Sequence, residues 1–207
     1  MADNEKTKEP PKRKPWVYSV FRGIITVLFR TIFPVKVIGR EILDQTQAPY
    51  IFLGNHKTWI DPVCMAYGIR KKQITFLAKK ELFQAPLLGR VLYWLGAIPV
   101  DRKHSDMKAI RLCLNALKNN EILGIFPEGT RHKEGIMEEI EGGVAIIALR
   151  SQVPLIPMYI SHPLRFFHKN YCYVGSPIQM DDLIEKGISK ETTEILLDRI
   201  RNSYRLL

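Results

Sequence analysis

The sequence predicts an α/β fold: a single domain with a partly parallel central sheet flanked by helices, plus an N-terminal membrane-associating helical segment. Three observations carry this reading. Short apolar runs alternate with amphipathic stretches along most of the chain, the pattern of strands joined by helical crossovers. The 207 residues, 46% of them hydrophobic, suffice for one sizeable core and not comfortably for two. An aromatic and basic segment near the N-terminus stands apart from the alternation.

Residues 1–15, MADNEKTKEPPKRKP, are polar and proline-bearing without apolar period, and predict a disordered tail ending in the basic run Lys12 to Lys14. Residues 16–34 follow as a helical segment. Within it Arg22 and Arg30 leave only seven uncharged residues between them, too short an interval for a membrane span. An arginine at mid-helix adds about 2.5–3.5 kcal/mol to insertion. The same arginines split the apolar region that a signal peptide requires, and no small-residue cleavage site follows. Trp16, Tyr18, Phe21, Phe29 and Phe33, together with the basic residues, instead suit a helix lying in the headgroup plane. Each basic residue near an anionic bilayer contributes about 1 kcal/mol. An amphipathic helix packed on the protein's own core fits the same pattern.

The third unit, residues 35–207, carries the alternation. Strands are predicted at Tyr50–Asn55, Ile74–Lys79, Ala97–Asp101 and Ile122–Gly129. A helix begins near Ile60 and runs to Tyr67, with Thr58 or Asp61 as its cap and Pro62 in its first turn. Another helix starts after Ser105, the N-cap candidate, and places Met107, Ile110, Leu114 and Leu117 on one face. GGVAIIALRS gives a further helix before the strand PLIPMYIS, and NYCYVGSPI gives another strand. The chain closes with a helix from about Lys190, carrying Leu196, Ile200 and Tyr204 on one side. Ligand sites in sheets of this kind gather beyond the carboxyl ends of the strands.

Lys and Arg outnumber Asp and Glu by 31 to 21, a formal charge of +10, so the partners are expected to be anionic. Nucleic acid is disfavoured, because the basic residues are scattered with no recognition helix or aromatic-interleaved patch. Cys64, Cys113 and Cys172 stand far apart in apolar runs, which argues against disulfides and zinc sites and for buried small side chains in a reducing compartment. The chain shows no GxGxxG, P-loop, HExxH or GxSxG.

Three polar clusters interrupt apolar strands at their C-terminal ends: NHKTWID (Asn55 to Asp61), Asp101-Arg102, and FPEGTR (Phe126 to Arg131). Five residues of continuous helix rotate two side chains roughly 140° apart, so His56 and Asp61 cannot share one helical face. A histidine in the turn and an aspartate in the first helical turn can meet. Such an aspartate fixes the imidazole tautomer, leaves the other nitrogen as an acceptor and stabilises the imidazolium after proton uptake. That describes a general base whose nucleophile arrives with the substrate. The plainer alternative is a helix-capping aspartate beside a satisfied turn histidine. In the third cluster Arg131 can bind a phosphate bidentately, Gly129 lets the backbone approach a ligand, and Glu128 can accept from a substrate hydroxyl or hold an arginine. The plainer alternative there is an ordinary turn with a surface ion pair.

These residues resemble the glycerolipid acyltransferase family, and within it the 1-acylglycerol-3-phosphate acyltransferases. NHxxxxD stands here as NHKTWID and FPEGTR is unchanged. The second block resembles Lys79 to Arg102, KKELFQAPLLGRVLYWLGAIPVDR, with Pro86, Gly89, Gly96 and Arg102 at the expected places. The fourth resembles Val153 to Ile160. Many members carry a lysine and a glycine before the helix after the third block; here Glu141 precedes Gly142 and Gly143, so that loop's contacts are not carried over.

The resemblance implies transfer of a fatty acyl group from acyl-CoA or acyl carrier protein to lysophosphatidic acid, with His56 as base and Asp61 orienting it. It implies substrate contacts by Arg102, Glu128, Gly129, Thr130 and Arg131. Lys79 and backbone amides after Gly54 are candidates for an oxyanion or phosphate contact. No metal and no tightly bound cofactor is implied, and the enzyme would be membrane-associated on the cytosolic face. A lipid-thioester hydrolase using the same dyad, an enzyme acting on another lysophospholipid, and a non-catalytic peripheral lipid-binding protein remain alternatives.

Overall fold

The structure, a computed structural model, describes residues 14–69, 72–101, 106–131 and 135–207. Most of the tail, together with Arg102 and Ser105, lies outside the described residues.

A helix α1 (Pro15–Thr31) leads into β1 (Val35–Ile38), α2 (Arg40–Gln45), β2 (Tyr50–Gly54), α3 (Asp61–Gly68) and β3 (Ile74–Lys79). A short 3-10 turn (Lys80–Gln84) precedes α4 (Pro86–Trp94), β4 (Ile98–Val100), α5 (Met107–Lys118) and β5 (Ile122–Ile125). Then come α6 (Gly143–Ser151), β6 (Leu155–Ile160), β7 (Asn170–Val174), α7 (Asp181–Lys186) and α8 (Lys190–Arg205). The strands form one seven-stranded sheet in the order β1-β7-β6-β2-β5-β3-β4. Five neighbours, β6, β2, β5, β3 and β4, run parallel. β7 is antiparallel to β6, and β1 follows β7.

The strand period divides the core between the two faces of the sheet. Ile51 and Leu53 of β2 join Leu123, Ile125 and Leu155 in a cluster under α5, α6 and α8. Their alternates Tyr50 and Phe52 join Ile74, Ile122, Ile156 and Met158 in a second cluster under α1 and α3. β2 is buried at every position, which explains why it reads as a continuous apolar run. Gly124 leaves the space that the Phe76 ring occupies, since a Cβ there would lie 2.4 Å from it.

All three cysteines are buried and unpaired by disulfides. The predicted strand Ile74–Lys79 is present with the same bounds, whereas those predicted to end at Asn55, Asp101 and Gly129 end earlier, at Gly54, Val100 and Ile125, because the polar clusters leave the sheet as turns. Two capping expectations are corrected. Asp106, not Ser105, caps α5, accepting from the Ala109 N–H at 2.9 Å. Ile60 occupies the N-cap of α3 and no side chain caps that helix, because Asp61 turns back onto the preceding turn. The strand β1 and the short helices α2 and α7 add to what periodicity shows; with 4 and 6 residues they are too short for a period to register.

Helix α1 packs one face on the protein and leaves another exposed. Ile25 and Phe29 are buried, and Phe29 meets Tyr67 of α3 edge to face at 5.3 Å. Trp16, Val20, Ile24 and Val27, spaced by four and three residues, stay exposed and line one stripe. Among the described residues no helix is long and apolar enough to cross a membrane.

Candidate active site

Because β2, β5 and β6 are parallel neighbours, the turns after Gly54, Ile125 and Ile160 emerge on one edge of the sheet, and three contacts tie them together. Asn55, fully buried, donates from its amide to the Ile160 carbonyl at 3.0 Å and accepts from the Ile160 N–H at 2.7 Å. The His56 N–H donates to Glu128 Oε2 at 2.6 Å. Asp61 lies 3.2 Å from His162, two residues beyond β6.

Asp61 is fully buried, and its carboxylate is surrounded by donors. Oδ2 accepts from the Lys57 and Thr58 amides, each at 2.7 Å, and lies 3.0 Å from His56 Nδ1. Oδ1 accepts from the Thr58 hydroxyl at 2.7 Å. An oxygen already accepting from two amides leaves His56 Nδ1 only the donor role, so Nε2 carries the lone pair. Burial by itself raises the Asp61 pKa; the contacts of His162, His56 and Thr58 outweigh it and hold the carboxyl well below the usual carboxylate range. Asp61 is therefore ionised across the physiological range and available to compensate an imidazolium. The His56 ring stacks on Phe126 at 4.3 Å, and its side chain keeps 13% of its surface open.

Glu128 joins the FPEGTR turn to the histidine turn. It is 4% exposed, and while Oε2 takes the His56 amide, Oε1 accepts from the Met137 N–H at 3.0 Å. Both oxygens thus bind backbone, and the side chain fastens the FPEGTR turn to the histidine turn. Gly129 follows with φ +66°, where a Cβ would lie 2.8 Å from Glu141 Cγ; glycine meets both constraints. Thr130 and Arg131 are exposed beyond it. Glu141, at the position noted as a departure, lies against this turn.

Lys79 ends β3 on the same edge, about half exposed and 3.8 Å from Glu81, a pair too solvated to hold it tightly. Lys80 pairs with Asp101, and the Asp101 N–H in turn donates to Asp106 Oδ2 at 2.9 Å. Asp101 is thus engaged on the side of Lys80; Arg102 lies outside the described residues. Among the described residues no group of three or more His, Cys, Asp and Glu side chains is arranged to hold a metal ion.

The edge also gathers aromatic surface. Trp59, between His56 and Asp61, is 76% exposed, and Phe166 and Phe167 are 63% and 76% exposed. β7 runs against β6 and β1 runs with β7, so β1 and β7 start where the parallel strands end. This brings the end of α1 to the same edge. Phe33 meets Phe166 at 4.4 Å, and the Phe167 N–H donates to the Ile32 carbonyl at 2.7 Å.

Sequence reasoning did not single out His162, the structural role of Asn55, or the Phe126 stack on His56. His162 directly follows the predicted strand PLIPMYIS; its place at a strand's C-terminal end was the one available signal.

The family described as Acyltransferase matches residues 34–161. The 1-acyl-sn-glycerol-3-phosphate acyltransferase of Bacillus subtilis is 33% identical to the chain, covering 89% of this chain and 96% of its own. Its Streptococcus pneumoniae counterpart is 30% identical, covering 99% and 77%. The crystal structure of the 1-acyl-sn-glycerophosphate acyltransferase of Thermotoga maritima superposes with a TM-score of 0.62 at 22% identity, over 93% of this chain and 78% of that one. Its likeness supports the α/β architecture described above.

Proposed function

The chain belongs to the acyltransferase family, whose pattern spans residues 34–161, and from that membership we propose that it moves a fatty acyl group from a thioester to the free sn-2 hydroxyl of 1-acylglycerol 3-phosphate, forming phosphatidic acid. The observation that carries the reading is the His56–Asp61 contact of 3.0 Å at the C-terminal edge of the parallel strands, beside the FPEGTR turn. Among the described residues no serine or cysteine is hydrogen-bonded to His56, so the nucleophile is the acceptor's own hydroxyl.

The chemistry follows from these groups. His56 Nε2 takes the hydroxyl proton as the oxygen attacks the thioester carbonyl, and Asp61 compensates the imidazolium. The carbon–sulfur bond then breaks, and His56 returns the proton to the departing thiolate. Thr130, Arg131 and Arg102 bind the glycerol phosphate, with Gly129 letting it approach the backbone. Glu128 acts one step back, holding the His56 turn in place. Lys79 and the amides after Gly54 are the candidates for stabilising the oxyanion. The donor is acyl-CoA or acyl carrier protein, and no cofactor is required.

An acyl transfer assay tests this directly: lysophosphatidate and other lysolipids as acceptors, each with both donors. Lysophosphatidate is expected to give the highest kcat/KM. Preference for another lysolipid would reassign the acceptor, and thioester cleavage independent of any acceptor would make the protein a hydrolase. Lipid binding untouched by His56→Ala, with no transfer in any combination, would make it a non-catalytic lipid-binding protein.

The layout we propose is a tail at residues 1–15, a monotopic membrane-binding segment at 16–34 and the acyltransferase domain at 35–207, with the site facing an anionic, cytosolic bilayer surface. It is supported by the exposed stripe of α1 and by Trp59, Phe166 and Phe167, which share the site's edge with Lys57, Arg165 and Lys169. Aromatic side chains with basic neighbours match the interface of an anionic bilayer. Deleting α1 would uncover the packing of Ile25 and Phe29, so the stripe is better tested by Trp16→Ser, Val20→Ser and Ile24→Ser together. This variant is expected to sediment less with vesicles of phosphatidylglycerol and phosphatidylcholine while keeping its thermal stability. Undiminished sedimentation at both low and high salt would refute the docking role.

A further inference from the structure

Asp61 faces two imidazoles. His56 Nδ1 lies 3.0 Å from Oδ2 and His162 Nε2 lies 3.2 Å from Oδ1. The side chain of His162 is 9% exposed, and neither of its ring nitrogens has a well-aligned hydrogen bond. The 3.2 Å approach is therefore an electrostatic contact at ion-pair distance and not a further aligned hydrogen bond on Asp61. A buried imidazole whose nearest charged neighbour is the carboxylate that serves His56 is not explained by packing alone.

We propose that His162 is a positioning residue for the transfer reaction: by sharing the charge of Asp61 it lowers the proton affinity of His56 and keeps that histidine in its basic form. The inference rests on the assignment of His56 as the base. One buried carboxylate compensates one imidazolium well. With both rings protonated the trio carries a net positive charge in a buried setting, so a proton on either ring disfavours a proton on the other. The 3.2 Å approach of His162 Nε2 to Oδ1 sets this competition on the carboxylate itself.

The other groups around the carboxylate do not substitute for this effect. Lys57 shares the turn and contributes its backbone amide. Glu128, after β5, binds the His56 and Met137 amides. Cys64 on α3 is pushed up by its hydrogen bond with Cys172 of β7 and by burial, with Asp61 adding to the rise. Imidazole is the side chain whose ordinary pKa falls between about 5 and 8, and what sets His162 apart from these groups is that it meets the same carboxylate as His56.

The test replaces His162 with phenylalanine, which removes the ionisable ring, and with glutamine, which keeps an uncharged polar group. The acid limb of kcat/KM is expected to move to higher pH by on the order of one unit for His162→Phe and by less for His162→Gln. The alkaline plateau is expected to stay within a few-fold of wild type. The His56 ring protons, followed by NMR across the same range, are expected to titrate at correspondingly higher pH. An unmoved acid limb and an unmoved His56 titration in both variants would overturn the proposal, whatever their melting temperatures. The NMR arm needs no catalysis, so its outcome stands apart from that of His56→Ala: activity surviving His56→Ala would remove the base assignment, whereas an unmoved titration would remove the His162 role alone.

Discussion

His56→Ala is expected to lower kcat/KM for acyl transfer by about 10²- to 10⁴-fold while leaving the fold and lipid binding in place. The chemical part of the expectation is the loss of the group proposed to take the hydroxyl proton as attack proceeds. The structural part follows from what holds the turn. Glu128 grips residue 56 through its backbone amide, and Asp61 still accepts from the Lys57 and Thr58 amides and the Thr58 hydroxyl. What is lost is the ring's stack on Phe126 and one hydrogen bond to Asp61. Circular dichroism and a melting curve separate a silent site from an unfolded one, and vesicle sedimentation shows whether membrane docking persists. Retention of transfer by a folded His56→Ala protein would sink the base assignment. The pH profile gives a second reading: residual activity in the variant should no longer fall through the imidazole range.

The order in which this chain reveals itself follows physical range. Residues that act within one turn are legible. NHKTWID and FPEGTR pointed to a histidine–aspartate contact and a tight glycine turn, both present, and the buried runs around them contain β2 and β5. Contacts between turns are not legible, because sequence spacing says nothing about which strand ends become neighbours. Asn55 closes on Ile160, 105 residues away, and Glu128 closes on His56, 72 residues away; a reader of the motif alone cannot foresee that Glu128 holds the histidine turn. His162 is hidden for the same reason, since its importance depends on β6 lying beside β2. The N-terminal segment shows a further limit. Its period identified an amphipathic helix, yet period alone does not say which face meets the protein, and only the packing of Ile25 and Phe29 separates the faces.

Asp61→Asn is expected to lower kcat/KM by about 10- to 1,000-fold, the range of the one to three pKa units that an opposite charge contributes to a neighbouring group. The loss is smaller than a tautomer reversal would cause, and the surroundings of the side chain explain why. The Lys57 and Thr58 amides both point at Oδ2, so an asparagine must set its carbonyl oxygen there and its amide nitrogen at Oδ1, toward the Thr58 hydroxyl and His162. His56 Nδ1 keeps an acceptor and Nε2 keeps its lone pair; only the negative charge disappears. The imidazolium is then less stable, the base weaker, and the acid limb of the profile moves to lower pH. That direction is opposite to the one expected for His162→Phe, and the opposition follows from one carboxylate serving two rings. Stability gives an independent check with a definite sign. The Asp61 carboxyl is depressed in the folded state, so its contribution is present above the ordinary carboxylate pKa, near 4, and fades as pH falls below it. The stability deficit of Asp61→Asn in urea should therefore be largest around neutrality and shrink in acid. Asp61→Ala, which leaves the two amides and the hydroxyl without an acceptor in a buried space, should be the less stable of the two variants throughout. A deficit that does not depend on pH, or an acid limb that moves upward in Asp61→Asn, would contradict this account of the site.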